Sequence, residues 1–202
     1  MILTSCYREI DEKKYKDQIY SISGDRGRAV DYKGKCYPAL APKRDFWEVW
    51  HSNIGKISER ENAKYYIDKY YEEVLSKLDV NKVYKELDES ILLCYEDARA
   101  FCHRHIVAAW FELMLGVRVP EVKIKNGSLV EAPRGNFIKN YLEEVIKSNV
   151  DMKGFNTLYS LNLYNRSKML EAHAKNNSDI ELSRYLDNLA FESDEIVKTK
   201  TL

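Results

Sequence analysis

The sequence predicts an α/β fold in which a small parallel sheet is covered by helices and followed by a helical C-terminal extension. Short β-prone runs alternate with helical patterns through the first 122 residues. The run Ile91–Tyr95 is continuously apolar and too short for a helix, which is typical of a strand buried on both faces. After Glu121 the pattern changes to a hairpin and amphipathic helices. We therefore expect an α/β domain over residues 1–122 and a hairpin with a helical extension over residues 123–202.

The first half of the chain contains two strands, a basic loop and several helices. Ile2–Cys6 and Ile19–Ser23 are short β-prone runs. Gly24–Pro42, with three glycines and two prolines, is expected to be a loop. Helices are expected where a capping signal precedes apolar residues at helical spacing. Their predicted start signals are Pro42, Ser58 and Asp79.

The second half begins with the buried strand at Ile91–Tyr95. A helical pattern follows from about Ala100 to Leu115, and Gly116 is its expected stop. Val117–Val119 is predicted to form another strand. Asn126-Gly127 predicts the tight turn of a hairpin. The helices of the extension are expected at Phe137–Lys147, Leu158–Ala174 and Asp179–Ala190.

Composition excludes several classes of protein. The 202 residues include 32 basic and 32 acidic side chains, so we do not expect a polyanion to coat the whole surface. The chain lacks the run of about 18 apolar residues that a membrane span requires, and its N-terminus lacks the pattern of a secretion signal. Its four cysteines are scattered without a C-x-x-C pair, which favours reduced thiols over a disulfide framework. We therefore expect a soluble, cytoplasmic protein that has no membrane partner.

The most reactive side chains lie between the buried strand and the next helix. Cys94 lies at the end of the strand and Glu96 directly follows it, and Cys102 precedes His103 and Arg104 at the helix start. Ligands gather at the carboxyl ends of parallel strands. The loop over residues 24–44 carries six basic and two acidic side chains, a local charge of +4, and leaves the same edge if the strands are parallel. The predicted anion-binding residues are Arg26, Arg28, Lys35 and Arg104.

Two chemical interpretations of this segment use the cysteines. In the first, Cys94 is a nucleophile on a loop of the length found in rhodanese-like sulfurtransferases. In the second, Cys94, Cys102 and either His103 or His105 bind zinc, with Glu96 as a further ligand. The residue types suit zinc, although no C-x-x-C knuckle is present.

The favoured interpretation needs no metal. His103 and Arg104 bind an anionic group, and Glu96 orients Arg104 or acts as a general acid or base. We also expect an ion pair between Glu96 and Arg104 that links the strand to the helix. A purely structural alternative stays open, in which the cysteines fill the core. The predicted catalytic residues are Cys94, Glu96, Cys102, His103 and Arg104.

Five segments form a specific combination of motifs. The firmest are Leu92–Glu96, which reads Leu-Leu-Cys-Tyr-Glu, and Phe101–Arg104, which reads Phe-Cys-His-Arg. The others are Ser21–Ser23, Gly34–Pro42 and Gly116–Glu121. The combination resembles the domain-of-unknown-function 488 (DUF488) family over about residues 1–122. The resemblance implies a compact α/β domain in which these residues cluster, and it implies no established reaction.

These observations predict a small enzyme or ligand-binding domain that acts on a phosphate-bearing compound, either nucleotide-like or a nucleic acid. The alternatives are a nucleic-acid-associated binding module and a structural interaction protein, and the sequence leaves the identity of any cofactor open. Tyrosines of the extension would stack on bases in the nucleic-acid alternative. We favour their packing against the α/β domain or a second subunit. In the second case the C-terminal helices would form a homo-oligomer. These tyrosines are Tyr141, Tyr159, Tyr164 and Tyr185.

Overall fold

A four-stranded parallel sheet lies at the centre of the fold. The computed structural model describes residues 1–149. The strands are β1 (Leu3–Cys6), β2 (Ile19–Ser21), β3 (Lys35–Cys36) and β4 (Ile91–Cys94). In the sheet they lie in the order β1-β4-β2-β3, and every neighbouring pair is parallel. The predicted α/β class with a small parallel sheet is confirmed.

Strand β4 lies between β1 and β2, and all four of its residues are buried. Leu92 belongs to the larger core, which is formed mainly by helices, whereas Ile91 and Leu93 belong to a second core on the other face. An apolar strand is stable in this position because neither face meets water. Cys6 pairs with Cys94 and Ser21 pairs with Leu93. The carboxyl ends of three strands are therefore level, and the segments that follow them lie side by side.

Two of the helices start at the capping side chains that the sequence predicts. Ser58 accepts a hydrogen bond from the Glu61 N–H, and the Asp79 carboxylate accepts hydrogen bonds from two N–H groups in the first turn of its helix. Side chains of this kind satisfy N–H groups that have no partner within the helix. None of the helices within residues 1–149 is long and apolar enough to cross a membrane. The helices are α1 (Arg44–Ser52), α2 (Glu59–Glu73), α3 (Val80–Glu86), α4 (His103–Leu115) and α5 (Phe137–Asn149).

Helix α4 begins three residues later than its apolar pattern predicts. The Asp97 carboxylate accepts hydrogen bonds from the N–H groups of Arg99 and Ala100, which forms a separate turn before the helix. Cys102 then has an extended backbone, and helical geometry starts at His103. The expected stop is confirmed, because Gly116 adopts φ 65°, a left-handed conformation that costs glycine little.

The strand predicted at Val117–Val119 is wrong. This segment is irregular, and only the next residues touch the sheet, where Thr4 donates its N–H to the Pro120 carbonyl and Glu121 forms a single bridge with Thr4. Pro120 has no N–H, so a strand cannot continue through it with regular pairing. The contact nevertheless places Glu121 beside β1.

The predicted hairpin is confirmed as β5 (Val122–Lys125) and β6 (Ser128–Glu131), joined at Asn126-Gly127, where both residues have positive φ. The first helix of the extension is confirmed as α5. Its apolar stripe enters the larger core, so the hydrophobic core continues past residue 122. The buried stripe comprises Ile138, Leu142, Val145 and Ile146. The helices predicted at Leu158–Ala174 and Asp179–Ala190, and oligomer formation through them, lie outside the described residues.

Candidate functional site

Four reactive side chains converge where β4 ends and α4 begins. Cys94 is the last residue of β4, and Cys102 immediately precedes the first helical residue, His103. Glu96 lies on the connection between them and is partly exposed, whereas the other three are buried. These four residues are called the cysteine–histidine cluster below. The sequence predicted each of them as a site residue, and the fold brings them together.

The contacts within the cluster are short. Cys94 Sγ lies 3.6 Å from His103 Nδ1 and 3.5 Å from Glu96 Oε2. The ligand-type atoms of Cys94, Cys102 and His103 all lie within 4.8 Å of one another. The Cys102 thiol therefore lies beside both a second thiol and an imidazole.

A long-range hydrogen bond fixes the orientation of the His103 ring. Nε2 lies 2.9 Å from the Ile22 carbonyl oxygen, just beyond the end of β2. A carbonyl only accepts hydrogen bonds, so Nε2 carries the proton in this contact. The edge of the ring also packs against Tyr70, at a centroid distance of 5.7 Å. Nδ1 is thereby directed towards the thiols.

The two cysteines have opposite tendencies to ionise. Burial raises the pKa of Cys94 well above its ordinary value, and the neighbouring Cys102 raises it further. Burial also opposes ionisation of Cys102, but the hydrogen bond from Cys94 and the positive charges of Arg104 and His103 hold its pKa well below the ordinary value. Cys102 is therefore the thiol of the pair that ionises first.

The acid and the imidazole of the cluster both have raised pKa values. Burial, together with the negative charge of Cys102, raises the pKa of Glu96 to about 7. Burial would lower the pKa of His103, but its hydrogen bond and charge interaction with Cys102 outweigh this effect and raise it. Glu96 can therefore exchange a proton near neutral pH.

The expected ion pair between Glu96 and Arg104 is wrong. Arg104 is fully buried and donates to both carboxylate oxygens of Glu121, with Nη2 lying 2.8 Å from Oε1. The Thr4 hydroxyl donates to Glu121 Oε2 at 2.6 Å, and His105 Nε2 lies 3.4 Å from the same oxygen. Glu121 replaces the expected partner because the bridge to Thr4 brings it to the buried side of α4.

This network strongly shifts the pKa of Glu121. Burial alone would raise it, but the interactions with His105 and Arg104 outweigh burial and lower the pKa to about 2. Burial would lower the pKa of Arg104, but the charge of Cys102 and the hydrogen bonds to Glu121 raise it. Both partners are therefore charged at neutral pH, and the charge of Arg104 is compensated.

The four predicted anion-binding residues are not gathered at one point. Lys35 donates to the Asp17 carbonyl, which precedes β2, so its ammonium group lies towards the amino end of that strand. Arg104 is engaged with Glu121. Arg26 and Arg28 are exposed on the loop after β2, where Arg28 Nε donates to the Asp25 carbonyl. Two of the four residues thus lie at the expected edge of the sheet with exposed side chains.

Sequence reasoning missed a group of hydroxyl side chains at the same edge. Tyr7 OH lies 2.6 Å from Ser21 Oγ and 3.0 Å from Ser23 Oγ, and Ser23 donates to Asp25. Tyr95 donates to the same carboxylate at 2.5 Å. Burial opposes ionisation of Asp25, but these contacts and backbone N–H groups hold its pKa below the ordinary value. Ser21 and Ser23 are two residues apart at a strand end, and this spacing was the available signal because alternate residues share a face.

Aromatic side chains form a wall beside the cluster. Phe101 directly precedes Cys102, and its ring packs against the rings of Trp50 and Tyr66, with centroid distances of 5.8 Å and 5.4 Å respectively. Phe101 and Trp50 are partly exposed. The partly exposed rings of Phe101 and Trp50 therefore form an apolar surface that begins one residue before Cys102 in the chain.

The arrangement suits two kinds of chemistry. A thiolate beside an imidazole can act as a nucleophile with an adjacent base. Two thiols and an imidazole nitrogen at this separation are also a ligand set typical of zinc. In either case Glu96, which reaches the surface, can transfer protons between solvent and the buried groups.

One family model matches the chain, over residues 7–115, and is described as the active DUF488-N3 subclade. The match covers more than half of the 202 residues and includes β2, β4, all four members of the cysteine–histidine cluster and helix α4. No curated protein and no solved structure matches the chain.

Proposed function

Since the chain belongs to the DUF488 family, we propose that it is an enzyme acting on a phosphate-bearing, nucleotide-like compound, with the cysteine–histidine cluster as its catalytic centre. The proposal includes a cytoplasmic location, where thiols stay reduced. The description of the matching subclade as active agrees with a catalytic role.

The convergence of Cys94, Glu96, Cys102 and His103 carries this proposal. Burying polar and ionisable groups costs free energy unless hydrogen bonds or ion pairs offset the loss of hydration. Since apolar side chains could fill the same space without this cost, the presence of these groups indicates a role beyond packing. Groups with strongly shifted pKa values, placed next to one another at the carboxyl edge of a parallel sheet, are typical of catalytic sites. A purely structural role would not require an acid whose pKa is raised to about 7 to lie beside two thiols.

Exposed arginines support a phosphate-bearing substrate. Arg8 follows β1, Arg26 and Arg28 follow β2, and Arg99 follows β4. All four therefore lie on segments that leave the same edge of the sheet as the cluster. Arginine binds phosphate oxygens in a bidentate manner. This set of arginines keeps the predicted Arg26 and Arg28 and has Arg8 and Arg99 in place of Lys35 and Arg104.

The aromatic wall supports a nucleotide-like substrate. Phe101, which immediately precedes Cys102, and Trp50, which packs against it, both present partly exposed rings. Base rings stack on such side chains with little dependence on base identity. A ring held there would lie near the cluster, while arginines further out contact the phosphate.

A product screen tests the proposal. The full chain is incubated with nucleoside mono-, di- and triphosphates and with the matching nucleosides, and products are detected by mass spectrometry. We expect product from at least one nucleotide and much less from its nucleoside. His103→Gln keeps an N–H group that can donate to the Ile22 carbonyl but removes Nδ1, so it should lower the rate by about 10²-fold or more. Cys36→Ser, at a partly exposed cysteine outside the cluster, should retain the rate.

Three outcomes contradict the proposal. One is the absence of product from every compound together with no rise in melting temperature at millimolar nucleotide, since binding to the folded state stabilises it. A second is equal turnover in wild type and His103→Gln. A third is a thermal shift with oligonucleotides but never with nucleotides, which would favour the nucleic-acid-binding alternative.

A further inference from the structure

Among the residues that the structure describes, one group brings three metal-ligating side chains together: Cys94, Cys102 and His103. All three are buried, and two of them are sulfur ligands, which zinc binds well. They come from the end of a strand and the start of a helix, which are two rigid elements. Their relative positions are therefore set by the fold.

The distances match a tetrahedral metal site. Metal–ligand bonds of about 2.3 Å to sulfur and 2.0–2.1 Å to nitrogen place a sulfur and a nitrogen about 3.6 Å apart, and two sulfurs about 3.8 Å apart. The distance from Cys94 Sγ to His103 Nδ1 is 3.6 Å, and all three ligand atoms lie within 4.8 Å of one another. Small side-chain movements would thus complete the geometry.

The surroundings of His103 provide a second, independent observation. A histidine that binds a metal through one nitrogen usually donates the other N–H to a carbonyl or carboxylate, which fixes the ring. His103 Nε2 makes this bond to the Ile22 carbonyl at 2.9 Å, and Nδ1 faces the thiols. The ring is therefore already oriented as a ligand.

Local charge also permits a cation. Arg104, the cationic side chain next to the site in sequence, is bound through two nitrogens to Glu121 and is compensated. Two thiolates would balance the double charge of a zinc ion. The partly exposed Glu96 lies 3.5 Å from Cys94 Sγ.

We propose that Cys94, Cys102 and His103 bind a zinc ion that has an open fourth position, and that Glu96 serves as the proton acceptor beside it. Two cysteines and one histidine, with a glutamate that transfers protons, are used by zinc enzymes that hydrolyse nucleobase amines. The zinc site stands on the geometry alone, whereas the reaction at it rests on the proposed function. When bound, zinc would polarise a water molecule at its open position. Glu96 would accept a proton from this water as the water oxygen bonds to the electrophilic centre of the substrate, and it would return the proton to the leaving group, whose bond breaks with its electron pair.

Metal content and cobalt spectroscopy test the zinc site without any substrate. The full chain is dialysed against zinc chloride and then against buffer, and its metal content is measured by mass spectrometry. We expect about one zinc ion per chain in wild type and in Cys36→Ser. Cys94→Ser, Cys102→Ser and His103→Gln should each lose zinc or weaken its binding at least tenfold. Cobalt(II) in the wild type should show the thiolate charge-transfer absorption that the two serine variants reduce.

Glu96→Gln separates the metal site from the reaction. It should keep its zinc and its cobalt spectrum but lose turnover of any substrate found in the product screen. Circular dichroism and thermal melting of each variant show whether it folds, so that zinc loss by a folded variant is the informative result.

Failure of the zinc site and failure of the proposed function are distinguishable. A folded wild type that takes up no zinc, or zinc uptake that is equal in Cys102→Ser, overturns the metal site. If turnover then persists in a strong chelator and is lost in a folded Cys102→Ser variant, the cluster is a thiol nucleophile and the proposed function stands. Stoichiometric zinc that depends on all three ligands, without turnover of any nucleotide, supports the metal site and contradicts the proposed function.

Discussion

The substitution Glu121→Gln should destabilise the fold strongly, because it leaves the charge of Arg104 buried and uncompensated. Both side chains are fully buried and make bidentate contact. Lowering the pKa of Glu121 from 4.5 to about 2 corresponds to roughly 3 kcal/mol of stabilisation of the folded state. Removing one partner of a buried pair costs about 3–5 kcal/mol, which agrees with that magnitude.

Urea unfolding measures this effect. Its signal is the fluorescence of the three tryptophans, recorded as a function of pH. The matched control is Glu131→Gln, which breaks an equally direct but exposed pair with Arg118 and should cost about 1 kcal/mol or less. Because the pKa of Glu121 is lowered on folding, its stabilisation is complete above the ordinary carboxyl value near 4.5. It is lost as the pH falls from there towards 2. Glu121→Gln should lack this part of the pH dependence.

Two results would refute the reasoning. One is a loss of unfolding free energy in Glu121→Gln no larger than that in Glu131→Gln. The other is an identical dependence of stability on pH in wild type and Glu121→Gln below pH 4.5. The double substitution Arg104→Met with Glu121→Leu should recover much of the loss, because apolar side chains of similar volume replace buried ion pairs at little cost. Recovery would show that the stranded charge, rather than lost packing, caused the defect.

Three further predictions concern packing, one hydrogen bond and thiol exposure. Leu142→Ala should lower the unfolding free energy by about 2–5 kcal/mol because Leu142 is fully buried, while Val49→Ala, at a residue 44% exposed, should change it by less than about 0.5 kcal/mol. Tyr95→Phe should raise the pKa of Asp25 by removing the hydroxyl that donates to it, which a nuclear magnetic resonance titration measures; an unchanged pKa would contradict the contact. A thiol reagent should label one cysteine per chain rapidly, namely the partly exposed Cys36, and the other three only on unfolding; rapid labelling of a second thiol would contradict their burial.

Local signals account for most of what the sequence predicted correctly. The apolar run at β4, the Asn126-Gly127 turn and the caps at Ser58 and Asp79 each depend on residues that are close together in the chain. The cysteine–histidine cluster was predictable for the same reason. It lies within ten residues, and the end of a buried strand followed by the start of a helix brings those residues back towards each other.

Long-range contacts account for the errors. Glu96 and Arg104 lie at the two ends of one short loop, but the actual partner of Arg104, Glu121, comes after the whole of α4 and reaches the site by bridging to Thr4. Lys35 was assigned to the carboxyl edge because its loop starts there. Since β3 pairs with β2 in parallel, the chain must first return towards the amino end of the sheet, and Lys35 contacts Asp17 there. No periodic pattern in the sequence indicates that Glu121 bridges to Thr4 or that the chain returns to the amino end of the sheet before β3.

Side chains of the first turn of α4 make contacts towards both neighbours of β4 in the sheet, which are β1 and β2. Successive helical residues point about 100° apart, so His103 and Arg104 leave the helix in different directions. His103 donates a hydrogen bond to the Ile22 carbonyl just after β2. Arg104 forms an ion pair with Glu121, which accepts a hydrogen bond from the Thr4 hydroxyl of β1. The start of the helix is thus held from both sides, and this fixes Cys102 beside the end of β4. The segment Cys-His-Arg therefore combines two reactive side chains with an anchor, and the buried ion pair contributes to the proposed chemistry by positioning the thiol rather than by contacting the substrate.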